Sequence, residues 1–298
     1  MSGCDDRWAA AVSSWADAQG DIEALVQIGS RVQATAESDR WSDYDYHLVT
    51  SRPDRYRNGS FCRQIAQCWV SGVQVAFGNA VKVTAVYEEA LEADFVILNS
   101  LELRVATAAM KWPGTRVIWP RILRRGVDSL RIVAAPGWRV IKGGRAWEER
   151  YSRMAPLAIV LSGAEFEALC GEFWTQLVWA AKKAARGEYR ASQRALHIHL
   201  LENTLRMLQE EARLEGRKSF PLARRAENWL TPAQLRGTAS KSEPSAEALF
   251  AALEGVADTF MSSSLAVATK RGWGGEVPRA LRAWLRELAL SSTGKARQ

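Results

Sequence analysis

Apolar positions recur along this chain with two different periods. In residues 5–18, Trp8, Ala11, Val12 and Trp15 fall at helical spacing and predict a helix with one buried face. Residues 24–28 are a short apolar run that ends at Gly29-Ser30, and 44–50 are the next; both predict strands. Residues 73–77 and 81–87 predict a hairpin turned at Gly78-Asn79-Ala80. A further strand is expected at 94–98, a helix at 101–111, and two short strands at 117–120 and 130–134. This half is expected to be built on a small mixed sheet flanked by helices.

After Gly143-Gly144 the strand signals fade. Residues 164–186, 189–215, 245–262 and 278–290 carry helical periodicity and are rich in Ala, Leu, Arg and Glu, with a polar surface loop expected at 237–244. The fold class expected is therefore α+β: a mixed-sheet domain over residues 1–145, then an all-helical bundle over 146–298. A chain of 298 residues is long for one core and comfortable for two.

Composition narrows the classes. With 47% hydrophobic and 24% charged residues, disordered and low-complexity readings fall away. The net charge is +7 and the pI about 9.4, compatible with a phosphate-bearing ligand but far short of a basic-tail nucleic-acid binder. The basic clusters at 121–125 and 182–183 read as solvated faces, so nucleic acid is not an expected partner. The thirteen Trp are scattered over both halves and read as core or pocket wall. Cys4, Cys62, Cys68 and Cys170 form no Cys-x-x-Cys pair and read as reduced thiols. The start has acid where a signal peptide needs a basic region, and no apolar run approaches eighteen residues, so a soluble, cytoplasmic protein without membrane attachment is expected. His197 and His199, two apart on a helix, are not expected to share a metal.

Candidate chemistry concentrates between residues 28 and 45. A strand that ends in Gly29-Ser30 exposes backbone N–H groups; Gly29 admits a phosphate closely and the Ser30 hydroxyl adds a donor. Asp43 and Asp45 are two apart at the opening of a strand, so they share one face while Tyr44 points to the other. Two hard carboxylates beside a phosphate cradle make a Mg²⁺ site for a nucleotide. Asp94 opens a later strand and is expected beside the first pair, to accept a proton or to help hold metal.

Gly29-Ser30-Arg31, the spacing to Asp43-Tyr44-Asp45, and Asp94-Phe95-Val96-Ile97-Leu98 resemble the polymerase-beta-like nucleotidyltransferases. More narrowly, Tyr87-Glu88-Glu89, Glu172-Phe173-Trp174, then Lys182, Arg186 and Glu188, and Leu205-Arg206-Met207-Leu208 make the chain similar to the aminoglycoside 6-adenylyltransferases. The resemblance implies transfer of AMP from Mg-ATP to a hydroxyl of an aminoglycoside such as streptomycin, with release of pyrophosphate and antibiotic resistance as the consequence. It implies Gly29, Ser30 and Arg31 on the triphosphate, Asp43 and Asp45 on Mg²⁺, and Asp94 as the base and a third metal ligand. It also implies Lys182 and Arg186 reaching the phosphates from a helix of the second domain, and Glu89, Glu172 and Glu188 on the acceptor side.

The chain departs from that family in its basic charge, in Arg194 where relatives tend to have an acid, and in Leu201-Glu202-Asn203 where they tend to have Arg-His-Glu. A polycationic acceptor prefers an acidic cleft, so these departures bear on the acceptor and leave the ATP chemistry untouched. Two alternatives stand beside the aminoglycoside reading. One is an adenylyltransferase of the same fold with another small-molecule or macromolecular acceptor; the other is a non-catalytic nucleotide-binding protein. The oligomeric state is left open.

Overall fold

A six-stranded sheet organises the first half of the chain, and helices make up the rest. The structure, a computed structural model, describes residues 3–32, 39, 41–76, 80–110, 121–134, 137–154, 160–220, 223–239, 243–274 and 279–295. The chain divides into two compact units, Met1–Ile159 and Val160–Gln298.

The first unit begins with α1 (Gly3–Ala18), β1 (Ile22–Ile28) and β2 (Tyr44–Thr50). It continues through the short α2 (Cys62–Ile65), β3 (Cys68–Val75), β4 (Val81–Tyr87), β5 (Glu92–Asn99) and α3 (Ser100–Ala109). It closes with α4 (Arg121–Ala134), β6 (Trp138–Lys142) and α5 (Gly144–Tyr151). The sheet order is β3-β4-β5-β2-β1-β6, with β2 and β5 parallel and the other neighbours antiparallel.

Both faces of the central strands are covered, and six of the seven residues in each of β1 and β2 are buried. On one face, Trp8, Val12 and Trp15 of α1 pack on Tyr44, Tyr46, Leu48, Phe95 and Ile97. Trp8 Nε1 donates to the Tyr46 hydroxyl at 2.9 Å, which lets two large polar-tipped rings sit in that core. On the other face, Val26, Val49 and Leu98 meet Leu103, Leu130, Trp147, Tyr151 and Met154.

One expectation changes. Residues 130–134, expected as a strand, end helix α4. Val127, Leu130 and Ala134 are buried at spacings of three and four, and five apolar-rich residues were too few to declare that period. Strand β6 carried no strand signal of its own, because its residues are only partly buried. Helix α5 returns Trp147 and Tyr151 to the core of the sheet, within the unit Met1–Ile159. The expected strand at 117–120 and the turn residues 78–79 lie outside the described residues.

The second unit contains α6 (Gly163–Ala185), α7 (Tyr189–Ala195), a π-helical turn over Leu196–Leu201 and α8 (Glu202–Leu214). Short α9 (Ala226–Trp229) and α10 (Pro232–Thr238) lead to α11 (Ala246–Arg271) and α12 (Arg279–Lys295). No strand occurs among its described residues. Ser162 and Glu165 cap α6 reciprocally, and Gly272, at φ +66°, ends α11. Phe173 of α6 stacks on Phe260 of α11 with centroids 3.7 Å apart at the centre of the bundle. No helix among the described residues is long and apolar enough to cross a membrane.

Candidate active site

The site grows from the ends of three neighbouring strands. β1 pairs with β2 so that Ile28 faces Asp45, which brings the next residue, Gly29, against that carboxylate. Gly29 has φ +80°, and a Cβ there would lie 2.5 Å from Asp45 Oδ2, so both the turn and the close approach require glycine. Ser30 follows in a single 3₁₀ turn, and its Oγ is buried with no hydrogen-bond partner among the described residues.

Asp45 and Asp94 are in register on the parallel pair β2 and β5, and Asp43 stands just before β2. Alternation puts Tyr44 and Tyr46 into the core and leaves Asp45 on the opposite face. One carboxylate oxygen from each of Asp43, Asp45 and Asp94 lies within 4.8 Å of the other two. Asp94 is buried and the other two are partly exposed.

Two residues that the sequence did not flag complete the group. Thr84 lies opposite Asp94 on β4, and its Oγ1 donates to Asp94 Oδ1 at 2.5 Å. Lys82, two residues earlier and so on the same face, forms an ion pair with Asp94 Oδ2. Burial opposes the charge of Lys82, but the hydrogen bond and field of Asp94, and then the fields of Asp45 and Asp43, raise its pKa above the ordinary lysine value. The alternation of β4 does place residues 82 and 84 on one face. Only the pairing of β4 with β5 shows that this face is the one carrying Asp94.

Arg31, expected on a triphosphate, lies 3.9 Å over the Tyr44 ring and donates to the carbonyls of Ser42 at 2.7 Å and Asp39 at 3.3 Å. It thereby ties the start of the segment between β1 and β2 to its end. Glu89 is exposed in the turn after β4, at φ +60°, 3.8 Å from Arg7. In the second unit, Glu172 sits on α6, 3.9 Å from His199 Nδ1, and Lys182 is exposed in the last turn of α6. Arg186 is the C-cap of that helix, and Glu188 pairs with Lys183 at 2.5 Å. A cavity of about 300 Å³ beside them is lined by Gln176, Trp179, Arg194 and His199, with none of the four expected residues in its wall.

The donor set suits a hard divalent cation. Three carboxylate oxygens converge within the span of one coordination sphere, and oxygen donors of this kind bind Mg²⁺. The unpartnered Ser30 hydroxyl and the backbone cradle at Gly29 lie at the end of the strand that pairs with Asp45, where a phosphate can approach.

No protein-family model and no curated protein matches the chain. Among solved structures it is similar to an aminoglycoside 6-adenyltransferase from Bacillus subtilis, at 12% identity and a TM-score of 0.42, over 95% of this chain and 96% of that one. It is also similar to a nucleotidyltransferase-like protein from Exiguobacterium sibiricum, at 10% identity and a TM-score of 0.36, over 90% of this chain and 78% of that one.

Proposed function

We propose that this chain is a nucleotidyltransferase that moves AMP from Mg-ATP to a hydroxyl group of a small molecule and releases pyrophosphate. The observation that carries this is the convergence of Asp43, Asp45 and Asp94 within 4.8 Å, with Gly29 packed against Asp45. Asp43 and Asp45 would hold Mg²⁺, which neutralises the phosphate charge and the charge that builds on the leaving pyrophosphate. The acceptor hydroxyl forms the new bond to the α-phosphorus, the bond to pyrophosphate breaks, and the hydroxyl proton passes to the carboxylate of Asp94. Ser30 and the backbone at Gly29 would hold the phosphates in line, so the protein supplies position and charge and little covalent chemistry.

The acceptor proposed first is an aminoglycoside such as streptomycin, on the motifs around Glu172, Lys182 and Glu188. A second acceptor class, without the polycationic character of aminoglycosides, is favoured by the net charge of +7 and by Arg194 in the wall of the cavity on α6 and α7. Pyrophosphate release from Mg-ATP, measured over a panel of aminoglycosides beside an Asp45→Asn control, tests both. Release with streptomycin that the substitution abolishes supports the first acceptor. ATP binding without release on the panel moves the search to the second, and no ATP binding refutes the nucleotidyl-transfer reading.

A further inference from the structure

Resting on the nucleotidyl-transfer reading above, we propose that Lys82 is the resident cation of the acidic site. Its ammonium occupies Asp94 Oδ2 where a second divalent ion would bind, so the site takes one divalent ion, on Asp43 and Asp45. Asp94 Oδ1 accepts from the Thr84 hydroxyl and Oδ2 pairs with Lys82, and each oxygen keeps a lone pair that can take the acceptor's proton. The pair is sheltered, with Lys82 32% and Asp94 4% exposed at the side chain, and removing one partner of such a pair leaves the other's charge uncompensated. Lysine brings a compact charge with three donors, which suits a position facing several carboxylates.

A second divalent ion would have to bind Asp94 against the Lys82 ammonium. Lys82 therefore acts through Asp94 and the metal count, as a positioning residue.

The test counts metal. Mn²⁺ bound to the full chain with equimolar α,β-methylene ATP, which cannot transfer AMP, is followed by electron paramagnetic resonance. The wild-type chain is expected to hold one Mn²⁺ per nucleotide complex. Lys82→Met, which keeps the length of the side chain and removes the charge, is expected to hold two, with the broadened signal of a spin-coupled pair, while Lys82→Arg keeps one. Two ions in the wild-type chain, or one in a folded Lys82→Met, overturns the role of Lys82 and leaves the nucleotidyl-transfer reading standing. No bound Mn²⁺ in any of the three overturns that reading and the role of Lys82 with it. Far-UV circular dichroism checks the fold of the variants. If Lys82→Met does not fold, the wild-type count still decides: one ion supports the proposal and two refute it.

Discussion

Gly29→Ala separates backbone strain from damage to the acidic site. Alanine at φ +80° takes on a left-handed conformation, which costs a non-glycine residue about 1–2 kcal/mol. The new methyl group would also stand 2.5 Å from Asp45 Oδ2. Ordinary contact needs about 1 Å more, given that non-bonded heavy atoms pack at about 3.5 Å. The carboxylate is the mobile partner, so it swings away, and the stability loss stays near the backbone term. Activity falls much further, since a misplacement approaching 1 Å in a site of this kind lowers rates on the order of a hundredfold. Gly144→Ala is the matched control: φ is +62°, in the same unit, and its Cβ would meet nothing within 4 Å. Both variants are expected to lose about 2–8 °C in Tm by calorimetry, from about 1–2 kcal/mol in a unit of this size. Only Gly29→Ala is expected to lose pyrophosphate release. Equal activity in the two variants would refute the geometry assigned to Gly29 and Asp45.

Three further outcomes are expected. Asp45→Asn should lower pyrophosphate release at least about a hundredfold, as the loss of one charge-stabilising group in an active site does; release within about tenfold of wild type would contradict the role given to Asp45. Phe173→Ala should destabilise the helical unit by about 3–5 kcal/mol in denaturant titration, since the ring is fully buried and stacked on Phe260; a loss under 1 kcal/mol would contradict the packing. Glu210 is buried, which by itself would raise its pKa, but Arg213 and Arg271 together hold it below the ordinary carboxylate value. Its folded-state pKa is thus depressed, so it contributes stability above the ordinary glutamate range that is lost as pH falls through and below that range. Melting curves of wild type and Glu210→Gln should converge as the pH is lowered through that range, and parallel curves would refute the assignment.

What the sequence determined by itself is local. Period-two alternation put Asp43 and Asp45 on one face and sent Tyr44 inward, and the structure agrees, with Tyr44 buried beside Trp8. The helical periods of the second half needed no partner to be legible, because backbone hydrogen bonds in a helix close within four residues. Gly29 was readable as a close approach, though not what it approaches. Tertiary structure decided the rest, because strand pairing joins residues far apart in the chain. The parallel register of β2 with β5 sets Asp94 beside Asp45, and the pairing of β4 with β5 delivers Thr84 and Lys82 to the same carboxylate. Residues 130–134 were misread for the related reason that so short a run takes its period from the surface it packs on, which here is one face of the sheet. No spacing in the sequence shows that a lysine faces the three acids. That follows from which strand edges meet, and the burial of many side chains on both faces of the sheet settles that together.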